Sequence, residues 1–292
     1  MSKKKVIFII NPVSGVAKAG RIPPLIQTHL DTSIYEFEIV YTERPGHAEE
    51  ISRTAADAGV FMVVAVGGDG SVNEAGSGLL HRETGLGIIP AGSGNGMANH
   101  LKIPLNTIKA IQLLNTGKFT QIDTMKINGQ PAVGVAGIGF DAHVAHKFAS
   151  FGKRGFSSYI KVTLSELIHY KPHSFNIQVN NEIHQHEAWL ITMANSSQFG
   201  NKATINPWAN LKDGLIEICV MKKFPIWKLP LLMFRLFNNN IDKSRYFKIY
   251  QTNTAILSGN TDLIGHIDGE AKILGEKIVA EINPASLKVM IL

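Results

Sequence analysis

The sequence predicts an α/β domain built on a parallel sheet, followed by a β-rich sandwich, and three observations carry that reading. The chain has 292 residues, more than one compact core usually holds, so two domains are expected. Its first part alternates β-branched apolar runs with helix-period patterns, as strands joined by helical crossovers do. The remainder holds many short strands separated by turn pairs, which suits an antiparallel sandwich. The expected domains are 1–122 and 123–292, with the last strand able to return to the first domain.

The elements justify this in order. Residues 6–10 (VIFII) form a buried strand that ends at the breaker NPVSG, and residues 37–41 form a second. A helix follows over 46–58, where Ala48, Ile51 and Ala55 recur at helical spacing. Residues 60–66 (VFMVVAV) are an almost continuous apolar strand, SVNEAGSGLL begins a helix, and 86–89 is another strand. Ile108, Ile111 and Leu114 mark a helix ending near Gly117. Beyond residue 121, strands are expected at 123–127, 132–136, 175–179, 188–193, 215–220, 247–250, 254–257, 263–267, 277–282 and 287–291. Two helical patterns interrupt them, at 157–170 and 226–237. Asn128-Gly129 and Asn180-Asn181 are turn pairs.

Composition narrows the function classes. Apolar residues make up 45% and charged residues 18%, which is ample for buried cores. The single Cys219 excludes an internal disulfide and a cysteine zinc site. The start MSKKKVIFII has no signal-peptide pattern, and WKLPLLMFRLF is interrupted by Lys228, Pro230 and Arg235, so a cytoplasmic protein is expected, with peripheral contact at the inner membrane face left open. The net charge of +6, from 29 basic and 23 acidic residues, suits phosphorylated ligands or anionic surfaces. No basic stripe interleaves with aromatics, so nucleic acid is not an expected partner. A homodimer is carried as an option.

Four glycine or proline turns follow predicted strands: NPVSG (11–15), TERPGHA (42–48), GGDGSVNE (67–74) and PAGSGNGMAN (90–99). In a parallel sheet, ligands gather beyond the carboxyl ends of the strands. A turn without side chains lets backbone N–H groups approach phosphate oxygens, and a helix N-terminus behind it favours an anion. A lone turn of this kind is a tight connection, whereas four on one sheet edge point to a phosphate site. Ser71 and Glu74 have capping-box spacing. Asp69 reads either as a turn residue capping backbone or as a carboxylate facing a metal, a ribose hydroxyl or a donor on the acceptor.

These blocks resemble the diacylglycerol kinase catalytic-domain family, shared by bacterial soluble lipid kinases, sphingosine kinases and ceramide kinases. The second half adds Gly137-Ile138-Gly139-Phe140-Asp141-Ala142, the run NPWANLKDGL (206–215) and Asp268-Gly269-Glu270 in the expected order. The resemblance implies a phosphofructokinase/NAD-kinase-like nucleotide domain, a β-rich lipid domain, a cleft between them as the site, and ATP and Mg²⁺ as cofactors. It assigns Asn11, Pro12, Val13, Ser14, Gly15, Thr42, Gly67, Gly68, Asp69, Gly70, Ser71, Val72, Asn73 and Ser93 to ATP. Asn210, Asp213 and the main chain of Leu215 would hold Mg²⁺, and Glu270 would accept the proton, with Asp268 and Asp69 as its catalytic companions. Lys18 or Arg21 could add positive charge beside the phosphates.

Two blocks depart from the family. Gly92-Ser93-Gly94-Asn95-Gly96 is closer to the sphingosine-kinase form, and SSQFGNKA stands where a glycine-rich block is expected after Asn195. Lipid choice is therefore not transferred. His143 and His146 read as a helix face rather than a metal site, and Trp208 reads as core packing. The segment 226–237 reads as packing against the β domain, or as docking on lipid through Trp227, Leu231 and Phe234. The expected function is transfer of the γ-phosphate of ATP to a primary hydroxyl of a diacylglycerol or sphingoid-like lipid. The rivals are an NAD or sugar-phosphate kinase, and a non-catalytic nucleotide- or lipid-binding module.

Overall fold

The computed structural model describes residues 2–12, 20–150, 163, 165–166, 169–259 and 262–292. They fall into two compact units, residues 1–124 with 284–292, and residues 125–283. The sequence-based division at 122/123 thus differs by two residues, and the final nine residues group with the first unit.

In the first unit, β1 (Lys4–Ile10), β2 (Tyr35–Tyr41), β3 (Met62–Gly67) and β4 (Gly85–Pro90) are parallel in the order β4-β3-β1-β2. Every residue of β3 and β4 is buried, which explains their unbroken apolar runs: a parallel sheet is covered on both faces. The covering helices are α1 (Ile22–His29), α2 (His47–Asp57), α3 (Asp69–Gly78), α4 (Gly96–His100) and α5 (Thr107–Thr116). Helix α1 carries prolines in its first turn, where the missing N–H has no intrahelical partner to lose. The capping-box expectation for α3 is corrected. The helix starts two residues earlier, with extended Gly68 at the N-cap and no side-chain cap. Glu74 instead accepts from the amide of Ala48 at 3.2 Å, in the first turn of α2.

The two strands expected at 277–282 and 287–291 are one strand, β15 (Lys277–Ile291). Asn283-Pro284, followed by Ala285 at a φ of +43°, read as a break. Val289 pairs in parallel with Leu86 of β4. The amide of Ala285 donates to buried Asp123 at 2.7 Å, and the hydroxyls of Thr124 and Ser286 lie 2.8 Å apart.

Strand β5 (Lys118–Ile127) pairs with β15 and, antiparallel, with β6 (Gln130–Ala132). The second unit is antiparallel. Its strand order runs β14 (Glu270–Ile273), β13 (Ile264–Ile267), β7 (Val135–Gly139), β9 (Glu182–Ala194), β8 (His173–Val179), β12 (Thr254–Ser258), then the start of β15. β10 (Ile216–Lys222) branches off β9 and carries β11 (Phe247–Thr252). The 13-residue β9 changes partners along its length, pairing with β8 over its first half and with β7 and β10 over its second. Two apolar cores result, one around Ile138, Ile191 and Val220, the other around Phe140, Trp189 and Phe224. Helix α6 (Phe140–Ser150) follows β7 directly, and α7 (Leu229–Phe237) lies between β10 and β11. The helix expected at 157–170 lies largely outside the described residues. Among the described residues, no helix is long and apolar enough to cross a membrane.

Cys219 is fully buried on β10, and that burial pushes its thiol well above its ordinary range. We expect the native protein to leave a thiol reagent unconsumed and to take up one equivalent once unfolded in urea; prompt native reaction would contradict this burial.

Candidate active site

The first unit brings Asn11, at the start of the first sequence-predicted turn, and the other three turns to one sheet edge, because each follows the C-terminal end of a parallel strand. Asn11 continues from β1, its amide donating to the carbonyl of Val66 at 3.3 Å, and the Thr42 amide donates to the carbonyl of Ile10 at 3.0 Å. The turns after β3 and β4 touch backbone to backbone. A Cβ added to Gly92 would lie 2.4 Å from the Cα of Gly68, and one added to Gly68 would lie 3.3 Å from the Cα of Gly92. The amides of Ala91 and Gly92 both donate to the carbonyl of Gly67, at 2.8 and 3.2 Å. Asn95 closes the second turn, its side chain accepting from the Gly92 amide at 3.0 Å and donating to the Gly92 carbonyl at 2.8 Å.

Asp69 joins the two turns. Its Oδ2 accepts from the amide of Gly96 and its Oδ1 from that of Met97, each at 3.0 Å. The carboxylate therefore caps the start of the next helix, α4, as well as meeting its own backbone amide. Burial pushes its carboxyl above the usual range, and the backbone N–H groups of Gly96 and Met97 offset part of that rise.

The glycine motif divides by role. Asp69, Gly70 and Ser71 form the first turn of α3, whose amides have no carbonyl four residues back within the helix. The Val72 amide already donates to the Gly68 carbonyl and its side chain is buried in the core. Asn73 Oδ1 is buried without a hydrogen-bond partner, an open acceptor one turn along the helix. Pro12 lies just beyond β1 and Ser93 lies between Gly92 and Asn95. Val13, Ser14, Gly15 and Lys18 lie outside the described residues.

In the second unit, the Asp268-Gly269-Glu270 motif is a two-residue hairpin between β13 and β14, with Asp268 at φ +47° and Gly269 at φ +85°. Positive φ at both central residues is what a tight hairpin requires, and Asp-Gly is a favoured pair for it. Asp268 is buried. Its Oδ2 accepts from the Val133 amide at 2.8 Å, and its Oδ1 from the amides of Gly134 and Val135 at 2.9 Å each. Expected as a catalytic companion, Asp268 has both oxygens engaged by the backbone and acts as the hairpin's anchor. Glu270, the next residue, is exposed, with Lys272 Nζ 3.9 Å away.

Asp141 and His266 are a buried pair, His266 Nε2 lying 3.2 Å from Asp141 Oδ2. Gly137 makes room for them, since a Cβ there would sit 2.1 Å from that same oxygen. The Asn210 and Asp213 side chains each close a turn, accepting from the amides of Lys212 and Leu215 at 3.1 Å. Near them lies a residue the sequence reading missed. Glu217 is buried on β10, accepting from Asn206 at 2.7 Å and Gln251 at 3.0 Å. Burial pushes its carboxyl up, those two hydrogen bonds oppose the rise, and the charge of Asp213 adds to it. Its signal was a lone carboxylate inside the apolar run Ile216-Glu217-Ile218. The carboxylate, amide and carbonyl oxygens of Asp213, Asn210 and Leu215 are hard donors of the type Mg²⁺ takes. Among the described residues no group of three His, Cys, Asp or Glu could hold a metal, so a cation here would depend on the amide and carbonyl as well.

His143 and His146 lie on α6, as the helix-face reading expects, and His143 Nε2 pairs with Glu166 at 2.6 Å. Together with Gly139, Tyr170, His173 and Phe175 they line a cavity of about 560 Å³ within the second unit. Trp208 corrects its expectation. It is 66% exposed and its Nε1 donates to Asp242 at 3.2 Å, because the turn closed by Asn206 projects it outward.

The chain matches known families over almost its whole length. Residues 5–127 match the diacylglycerol kinase catalytic domain, and residues 134–291 match the YegS C-terminal NAD kinase beta sandwich-like domain. It is 26% identical over 273 residues to a diacylglycerol kinase of Staphylococcus saprophyticus subsp. saprophyticus, covering 92% of this chain and 89% of that one. A Staphylococcus aureus (strain MRSA252) diacylglycerol kinase is 27% identical over 274 residues, 92% of this chain and 86% of its own. Two solved chains from Bacillus anthracis str. Sterne share the fold. One superposes with a TM-score of 0.81 at 21% identity, covering 100% of this chain and 97% of its own. The other, described as a diacylglycerol kinase, has a TM-score of 0.74 at 18% identity and covers 100% and 98%.

Proposed function

Because this chain belongs to the family that joins a diacylglycerol kinase catalytic domain to a YegS-type β-sandwich, a family of lipid kinases, we propose that it transfers the γ-phosphate of ATP to a primary hydroxyl of diacylglycerol or a sphingoid-like lipid. The observation that carries this is the paired glycine turns at the edge of the parallel sheet, backbone against backbone at Gly68 and Gly92 and latched by Asp69. Phosphoryl transfer asks a protein mainly for positioning and charge neutralisation. Asn11, Thr42, the first-turn amides of Gly70 and Ser71, Asn73 and Ser93 offer donors and acceptors to a nucleotide. Glu270, held at a rigid hairpin by Asp268, takes the proton of the acceptor hydroxyl. Mg²⁺, held by Asn210, Asp213 and the main chain of Leu215, would neutralise phosphate charge when bound. The cavity beside Tyr170 and Phe175 supports an apolar substrate.

Incubating the purified protein with labelled ATP, Mg²⁺ and a total lipid extract is expected to yield one labelled lipid class. Glu270→Gln should lower kcat by roughly 10²- to 10⁴-fold while the affinity for a fluorescent ATP analogue stays unchanged. Label on NAD or fructose 6-phosphate and on no lipid would refute the lipid assignment. Full turnover in Glu270→Gln would remove the base.

A further inference from the structure

Helix α7 and the turn before it carry apolar residues on two faces, and only one face is covered. Leu232 is buried, and Leu229 and Leu236 pack with it against the core around Phe224 and Phe247. The other face is open: Trp227 is 74% exposed, Phe234 63%, Ile226 51% and Leu231 46%, with Met233 and Phe237 also exposed. Trp227, Leu231 and Phe234 follow an i, i+4, i+7 spacing, so they share one stripe. Isolated exposed apolar residues are ordinary, whereas a contiguous group of this size marks a contact surface.

The charge of the segment selects the occupant. Residues 218–241 contain Lys222, Lys223, Lys228 and Arg235 and neither Asp nor Glu. Lys223 is engaged by Glu187 at 2.7 Å, while Lys228 and Arg235 each directly follow a residue of the apolar stripe, Trp227 and Phe234. A two-fold contact with a second copy would bring the same basic patch against itself, and the next acid along the chain, Asp242, already accepts from Trp208 and is followed by Lys243. An anionic bilayer answers both features, since its interface takes up Trp, Phe and Leu while its headgroups attract Lys and Arg. Tryptophan in particular settles at the headgroup level.

We propose that the outer face of α7, with Trp227 and Phe234 as its anchors, docks the protein on an anionic lipid bilayer. The inference rests on this surface and not on the identity of the phosphorylated lipid. Of the two sequence readings of this segment, packing against the β domain holds for the face of Leu229, Leu232 and Leu236, and docking on lipid is the proposal for the other.

The test is co-sedimentation of the full chain, without ATP, with vesicles of phosphatidylcholine alone or mixed equally with phosphatidylglycerol. The wild type is expected to bind the mixed vesicles, with a blue shift of tryptophan emission, and to be released when salt is raised to about 1 M, where the Debye length is only ~3 Å. Phe234→Glu and Trp227→Ala should each weaken binding roughly tenfold or more. Lys228→Glu with Arg235→Glu should abolish the preference for phosphatidylglycerol. All variants should keep the wild-type unfolding midpoint and phosphorylate a soluble short-chain diacylglycerol at the wild-type rate, if that is a substrate. The proposal is overturned if the wild type does not bind the mixed vesicles or if both single variants bind like the wild type. It is equally overturned if light scattering finds a dimer that Phe234→Glu splits. Failure of lipid phosphorylation with vesicle binding intact would count against the kinase assignment alone.

Discussion

Replacing Asp268 with alanine is expected to lower the unfolding free energy by roughly 3–5 kcal/mol. Three backbone amides, those of Val133, Gly134 and Val135, donate to this one buried carboxylate. Alanine leaves all three without an acceptor in a place water does not reach, and each orphaned donor costs about 1–3 kcal/mol. Alanine would also occupy a left-handed backbone position, φ +47°, which Asp and Asn tolerate better. The loss should spread beyond the hairpin. The carbonyl of Gly134 accepts from the amides of Asn195 and Ser196, and Asn195 Nδ2 donates to the carbonyl of Val133 at 2.9 Å, so the loop after β9 hangs on the same segment. Urea unfolding followed by far-UV dichroism would show a lowered midpoint with an unchanged slope. Asp268→Asn keeps one acceptor oxygen and the favourable turn conformation, so it should retain part of the lost stability. If alanine and asparagine variants unfold at the wild-type midpoint, Asp268 is not an anchor, and a direct chemical role beside Glu270 becomes the better account.

What was readable in the sequence follows from how local each determinant is. The runs VIFII and VFMVVAV announce doubly covered strands because burial on both faces leaves no room for polar alternation. The four turns announce a ligand edge because glycine and proline report backbone shape directly. Determinants that reach across the chain were misread. Ser71 and Glu74 have the spacing of a local cap, yet Glu74 serves the amide of Ala48, 26 residues away. Asp69 was legible as a turn residue or a ligand contact, while the hold of its two oxygens on amides 27 and 28 residues on was not. The expected strands 277–282 and 287–291 left Asn283-Pro284 between them, but β15 passes through it. Trp208, beside Pro207, read as core packing rather than a base-stacking platform, and burial of a large aromatic is not a rule that runs both ways.

Alanine at Gly92 is expected to be more damaging than alanine at Gly68, its partner across the two turns. The Cβ of alanine at 92 would meet backbone Cα at 2.4 Å, a contact that no rotamer change relieves, whereas the same atom at 68 finds Gly92 at 3.3 Å. Neither glycine has positive φ, so conformational strain cannot account for a difference, and only the approach of the two turns can. To admit the methyl, the turn after β4 must move away from β3. That movement would pull Gly96 and Met97 from Asp69, whose largely buried carboxylate would then lack its two donors. We expect Gly92→Ala to lose roughly 2–4 kcal/mol of stability and more than about tenfold in affinity for an ATP analogue, the latter corresponding to about 1.4 kcal/mol. Gly68→Ala should cost less on both measures. Thermal unfolding with and without nucleotide reads the two effects apart, since a ligand that binds only the native state raises the midpoint in proportion to its affinity. Were Gly68→Ala the more damaging of the pair, or were Gly92→Ala to bind nucleotide normally, the paired turns would be a structural join and the nucleotide would have to sit elsewhere on the sheet edge.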